Sequence, residues 1–307
     1  RWIVDDLLFL AVAGREEADE RSLPIRLRTQ WRHIRYVLTS NPVTMLAFAL
    51  FVLIVAMGIF GPVIAPYDPL ATNASMALKP PSWDHWFGTD QLGRDVLSRV
   101  VVATRLDLLI SVCAVAISFV AGSTVGSVAG YFGGWFDKIS GRVIDTIMAF
   151  PLFVLAMGIV AALGNTVENI VYATAIINVP FYARLVRAEV NIRREAGFAL
   201  AARLAGNSDI RVLALHIFPN ALPPMMVQIS LNMGWAILNA AGLSFIGLGV
   251  RPPTPEWGIM VAEGANFIVS GEWWMAIFPG AALMLAVFTF NLLGDGLRDM
   301  VDPRRRT

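Results

Sequence analysis

The chain has 307 residues, 56% of them hydrophobic and only 15% charged, with a formal net charge of +1 and a mean hydropathy of +0.62. Soluble domains carry about 25% charged residues, so this chain has too few charges to cover a water-facing surface, and its apolar residues fall in long runs. That excludes disordered, collagen-like and disulfide-rich secreted classes and marks a polytopic, all-α membrane protein. The single cysteine, Cys113, lies inside an apolar run, can form no internal disulfide, and is expected to be an inert packed thiol because nothing basic sits nearby in the sequence.

In chain order, residues 1–42 form an N-terminal segment. Asp5 and Asp6 interrupt its first apolar stretch and no small-residue cleavage site follows, so residues 1–14 predict an interfacial helix rather than a signal peptide. Residues 15–35 are charge-rich and predict a solvated lead-in. A spanning helix needs about 20 mostly apolar residues, and the runs at 43–64, 108–130, 143–163, 170–186, 224–249 and 275–293 meet that length. The second carries Gly122, Gly126 and Gly130 at intervals of four, a small-residue stripe that lets helices approach closely. The third contains Asp145 near its start and Pro151 inside. Pro180 and Pro279 fall in the fourth and sixth, where they remove backbone bonds and mark kinks. The membrane domain is thus expected over 43–295, with a tail at 296–307.

Basic residues set the orientation. Nineteen of the 24 Lys and Arg lie on one side of these spans, in the N-terminal segment, at Lys138 and Arg142, between Arg184 and Arg211, and in the tail. Only Lys79, Arg94, Arg99, Arg105 and Arg251 lie on the other. The majority side is expected to be cytoplasmic, with both termini there. Trp83, Trp86, Trp135, Trp257, Trp273 and Trp274 flank spans, as an interfacial belt would, whereas Trp235 inside the fifth span predicts a packing residue.

The middles of the six runs contain no Asp, Glu, Lys, Arg or His. Proton-driven carriers place such groups at membrane depth, so this pattern argues against ion coupling. The polar side chains present are Asn178, Gln228, Asn232 and Asn239. They serve either as interhelical hydrogen-bonding groups or as the polar lining of a translocation path. No catalytic motif occurs: Lys appears only at 79 and 138, neither after a glycine, so the phosphate-cradling Gly-Lys-Ser/Thr loop is missing, as are His-Glu-x-x-His and Gly-x-Ser-x-Gly. His33, His85 and His216 are scattered, and no metal site is expected.

The connection at about 187–219 is the most informative stretch. Phe198, Ala201, Ala202 and Ala205 fall at i, i+3, i+4 and i+7, one helical face of mostly small residues. Gly206 follows as a C-terminal stop. Ser208 stands where it can cap a second helix whose positive end Asp209 favours, and Pro219 is expected to close that helix. The pattern predicts two short helices around a glycine turn.

This connection resembles the cytoplasmic loop of binding-protein-dependent ABC importer permeases, whose pattern is Glu-Ala-Ala, three residues, Gly, nine residues, Ile-x-Leu-Pro. The chain supplies Ala201, Ala202, Gly206 and Pro219 at the family's spacing and departs with Leu200 for Glu, His216 for Ile and Phe218 for Leu. The segment Phe87-Gly-Thr-Asp-Gln-Leu-Gly-Arg-Asp-Val-Leu-Ser-Arg99 is similar to one in the dipeptide/oligopeptide branch. So are Gly242-Leu-Ser-Phe-Ile-Gly-Leu-Gly-Val, Pro252-Pro-Thr-Pro-Glu-Trp-Gly258 and Phe290-Asn-Leu-Leu-Gly-Asp-Gly-Leu-Arg-Asp-Met-Val-Asp-Pro303.

The resemblance implies a type I importer permease fold in a bacterial or archaeal cytoplasmic (inner) membrane. It implies a second homologous permease subunit, two cytosolic ATPase subunits that hold ATP and Mg, and an extracytoplasmic substrate-binding protein. Membrane lipid is the surrounding partner and nucleic acid is not expected. Ala201, Ala202, Arg203, Gly206, Ser208, Asp209 and Pro219 become the ATPase-coupling residues, and the chain itself binds no cofactor. The expected activity is ATP-driven import of di- or oligopeptides by alternating access. Relatives in the family carry nickel chelates, glutathione, opines or oligosaccharides. An ATPase-independent channel or a secondary transporter is the competing class, and a copurifying ATPase distinguishes it.

Overall fold

The computed structural model describes residues 42–301, in which helices joined by loops make up the whole architecture and the single β-bridge pairs Thr89 with Asp95. The interfacial helix and lead-in expected over 1–41, and the tail beyond 301, lie outside the described residues. The helices are α1 Pro42–Ile64, α2 Val96–Phe132, α3 Gly134–Ala149, α4 Leu152–Leu163, α5 Val167–Arg193, α6 Gly197–Leu204, α7 Asp209–Phe245, α8 Trp257–Ala265 and α9 Trp274–Val301.

Among the described residues, α1, α2, α5, α7 and α9 are each long and apolar enough to cross a membrane. The third expected span is not straight: α3 and α4 meet at 92°, and only taken together are they long and apolar enough to cross a membrane. Pro151 causes the break. Its ring disfavours helical backbone at the residue before it, and Phe150 is extended (φ −83°, ψ 147°), ending α3, while Pro151 caps α4. The second span begins twelve residues earlier than the apolar run, at Val96, where Asp95 caps it by accepting from the Ser98 amide (2.7 Å). Its 37 residues give a rod of about 55 Å, longer than the hydrocarbon of a bilayer.

The glycine stripe of α2 lies against α5, the most extensive helix pair in the bundle. A β-carbon on Gly122 would sit 2.7 Å from the Val179 carbonyl oxygen and one on Gly130 2.6 Å from that of Arg187, with Gly126 meeting Ala183 in the same way. Any larger residue there must push two backbones apart, so the stripe sets the distance between α2 and α5.

Apolar packing divides by height. At one end, the hairpin end, Tyr131, Val186, Val190, Ala199, Ala202, Val212, Leu213, Ile217 and Met225 form one cluster. At the other, the cap end, residues 65–95 and 246–273 fold over the bundle. Here the aromatic belt needs correction. Trp83 (94% exposed), Trp86, Trp135 and Trp273 are outside, but Trp257 and Trp274 are core residues. Their indole N–H groups donate to the carbonyls of Val100 (3.0 Å) and Thr89 (3.1 Å), which satisfies the polar handle that a buried Trp must place. Trp235, expected to pack inside, is more than half exposed on α7.

Candidate functional site

The expected coupling segment is a compact hairpin between α5 and α7. Ala196 is extended and opens α6. At the other end of α6, Gly206 takes the left-handed turn (φ +84°), its amide donating to Arg203 O (2.9 Å) and the Asn207 amide to Ala202 O (3.3 Å). This is the glycine-terminated helix end that the sequence pattern requires. The Asn207 side chain doubles the bond to Ala202 O (2.9 Å).

The second helix differs from expectation. Pro219 does not close it; α7 runs unbroken from Asp209 to Phe245. A π-helical segment, Val212–Ile217, precedes the proline. The widened turn puts Pro219 in the first turn of the resumed α-helix, where its missing N–H costs no ladder bond. Ser208 stands at the N-cap, yet its side chain makes no capping bond.

Asp209 is committed elsewhere. The Tyr131 hydroxyl, at the end of α2, donates to Asp209 Oδ1 (2.6 Å) and accepts from Arg203 Nε (3.3 Å). The Arg203 guanidinium also lies 5.3 Å from the Tyr131 ring centroid, a cation–π distance. Arg194 donates to the Gly130 and Tyr131 carbonyls (3.2 and 3.3 Å), placing a cation at the negative end of α2. The last turn of α2 is thus tied to the α5–α6 link, to α6 and to α7.

The hairpin's inner side, Ala199 and Ala202, packs in the hairpin-end cluster. Ala201, Ala205, Gly206 and Ser208 face out, within an apolar ridge of Phe198, Leu200, Leu204 (81% exposed), Ile210 (73%) and Leu215. Tyr131 and Arg194 were not among the residues singled out from sequence. The one signal was a tyrosine ending an otherwise apolar helix, whose hydroxyl needs a partner once buried.

The polar side chains expected along a translocation path require correction. Asn178 (3% exposed), Asn232 (3%) and Asn239 (2%) are buried in this subunit's own bundle, and Gln228 is half-buried. Asn178 donates to Thr174 O (2.7 Å), Asn239 to Trp235 O (2.9 Å), and Gln228 to Asn232 Oδ1 (2.8 Å). Asn178 and Asn239 thus bond a carbonyl one turn back in their own helix, whereas Asn232 only accepts, and its own Nδ2 is buried without a hydrogen-bond partner. The seven-residue spacing placed Asn232 and Asn239 on one face of α7; that face is the inner one.

The cap end holds charges that periodicity could not pair. Asp90 Oδ2 lies 2.6 Å from Arg94 Nε and 3.7 Å from Arg99 Nε, and Arg94 and Arg99 each approach Glu263 Oε2 at 3.6 Å. Arg99 also donates to the Pro69 and Pro253 carbonyls (3.4 Å each), joining both cap loops to α2.

Comparison with known proteins fits this architecture. Residues 122–307 match the family of binding-protein-dependent transport system inner membrane components. The chain belongs to this family. Residues 29–81 match the N-terminal transmembrane domain of oligopeptide transport permease C. The dipeptide transport system permease protein DppC of Alkalihalophilus pseudofirmus is 42% identical over 277 residues, 90% of this chain and 91% of the relative. The probable D,D-dipeptide transport system permease protein DdpC of Escherichia coli K12 is 43% identical over 269 residues, 88% and 90%. The glutathione transport system permease protein GsiD of Escherichia coli O1:K1 is 40% identical over 285 residues, 92% and 93%. Such an inner membrane component is a multi-pass membrane protein.

Proposed function

We propose that this inner membrane component is the permease subunit of an ATP-driven importer of di- or oligopeptides in a bacterial cytoplasmic membrane. It pairs with a second permease subunit, two cytosolic ATPase subunits holding ATP and Mg, and an extracytoplasmic substrate-binding protein. The observation that carries the coupling role is the hairpin. Its outer ridge is apolar and exposed, as a surface meant for a partner is, while its inner side is bonded to α2, α5 and α7 at once. In this reading the ridge seats on the ATPase. A push on it is transmitted to three spans as one rigid body, because Tyr131, Arg194 and the packed alanines leave no loose joint. The hairpin end is then cytoplasmic, in keeping with the nineteen basic residues on that side, and the cap end faces the binding protein. Chemistry at ATP belongs to the ATPase subunits; this chain supplies the moving wall.

Two of the relatives named above carry dipeptides by name and support the peptide substrate. Glutathione, itself a tripeptide, is the second reading, favoured by the 40% identity to its permease over 92% of the chain. Reconstitution of the four-subunit complex with its binding protein, followed by uptake of a labelled dipeptide in competition with glutathione, tests both. Uptake that continues without ATP, or that neither compound occupies, refutes the proposal.

A further inference from the structure

At the cap end two carboxyl groups meet in the protein interior. Asp107 on α2 and Glu256 at the start of α8 are 1% and 0% exposed, and their carboxyls crowd the same turn, Asp107 accepting from the Trp257 amide and Glu256 from the next two. Two adjacent buried carboxylates do not both stay ionised. The donors around them are unequally shared. Glu256 Oε1 accepts from the Gly258 amide and Oε2 from the Ile259 amide (2.8 Å each). Each oxygen of this carboxylate thus has a donor, at the positive end of α8, and the group keeps spare lone pairs. Asp107 Oδ2 receives one donor, the Trp257 amide (3.2 Å), and its Oδ1 is buried with no donor at all. An oxygen without a donor, beside a carboxylate with lone pairs to spare, is the place for a proton.

We infer that Asp107 is a proton-binding site: it is held as the neutral acid, its Oδ1–H donates to an ionised Glu256, and this one proton clasps α8 to α2. No cation competes for the role. Arg94 and Arg99 are engaged with Asp90 and Glu263. Arg105 faces the groove lined by Phe51, Val55 and Gly58 on α1. Glu168, on the first turn of α5, and Arg251 are solvent-exposed, and α7 contributes only the Ser244 hydroxyl. Burial pushes the Glu256 carboxyl up, against its backbone donors, so the pair as a whole favours keeping one proton.

The folded protein then holds a proton that an unfolded Asp107 releases, so folding stability falls as pH rises above the range of a free carboxyl. Asp107→Asn presents an amide donor to Glu256 and a carbonyl to Trp257 without any proton uptake. Glu256→Gln instead points an amide group at a backbone N–H. The test is thermal unfolding of the purified assembled complex from about pH 5 to about pH 9, with infrared spectra of the same samples. Asp107→Asn should melt at or above wild type, with a lead that widens as pH rises by up to about tenfold in the unfolding equilibrium per pH unit, and should lack a carboxylic-acid C=O band that wild type shows. Glu256→Gln should melt lower at every pH and keep that band. An Asp107→Asn complex that parallels wild type across the pH range, or retains the band, overturns the inference; loss of the band in Glu256→Gln instead puts the proton on the wrong residue and also overturns it. Should Asp107→Asn fail to assemble, Asp107→Ser, which keeps a hydroxyl donor, is measured in its place against the same outcomes.

Discussion

Tyr131→Phe removes one oxygen and leaves the ring in place, so it isolates the tie between α2 and the hairpin. In the folded protein that oxygen donates to Asp209 at 2.6 Å and accepts from Arg203 at 3.3 Å. A hydrogen bond to a charged group contributes about 1.5–3 kcal/mol. Asp209 is solvent-exposed and Arg203 half-exposed, so both recover water when the hydroxyl goes, and the loss falls to about 1–2 kcal/mol. The aromatic face under Arg203 survives, as does the Arg194 cap on α2. The bundle should therefore assemble, and the defect should lie in transmission. In reconstituted complexes, uptake per ATP hydrolysed should fall about five- to thirtyfold while hydrolysis itself persists, since about 1.4 kcal/mol is a factor of ten in an equilibrium. A double-mutant cycle with Asp209→Asn should show coupling well above the about 0.5 kcal/mol scatter of independent sites. A Tyr131→Phe complex with the wild-type ratio of uptake to hydrolysis would refute the idea that this contact transmits the stroke.

Gly206→Leu should abolish uptake while membrane insertion stays normal; the cost is about 1–2 kcal/mol of left-handed backbone strain rather than a clash, because nothing lies within 4 Å of the added β-carbon. Gly206→Asn, which tolerates that conformation, should recover most of the activity, and equal damage from both would remove the backbone explanation. Gly126→Val should lower the amount of folded permease recovered from membranes, since its β-carbon meets the α5 backbone at Ala183; normal recovery would contradict the fixed spacing of α2 and α5. In a Cys113→Ser background, an impermeant thiol reagent applied to intact cells should label Trp83→Cys and not Leu204→Cys, both exposed in the fold, and the reverse pattern would invert the topology.

Much of this was legible in the sequence, for identifiable reasons. Apolar runs of spanning length located the long helices because length and hydropathy are local properties. The helix–glycine frame of the hairpin was readable because Gly206 must take a conformation that other residues avoid. What failed was whatever depends on a distant partner. Arg99 and Asp107 lie ahead of the apolar run, which therefore begins later than α2, yet Arg99 is met by Glu263, and Asp107 by Glu256 and the Trp257 amide, more than a hundred residues away. Trp257 and Trp274 looked interfacial because they flank spans in the sequence, but the cap folds over them. Pro219 was read as a stop because a regular helix rejects proline, and the π segment that accommodates it leaves no mark in composition. Asn232 and Asn239 shared a face as their spacing required, but spacing alone does not say whether a face looks inward or outward.

That π segment has a consequence for how α7 can change. Each residue of an α-helix advances about 100° around the axis, and the wide turn at Val212–Ile217 absorbs one residue's worth of rotation. It works as a phase shifter between two stretches of one rod: Asp209 and Val212 are clocked to the end of α2, and Met225 to Asn239 are clocked to the middle of the bundle. Rewinding the wide turn as regular α-helix with every residue kept would swing the hairpin by roughly a third of a turn relative to the span, carrying Asp209 away from Tyr131 while every residue downstream kept its neighbours. The membrane stretch and the docking stretch can therefore diverge in sequence independently, provided the length between them is held constant.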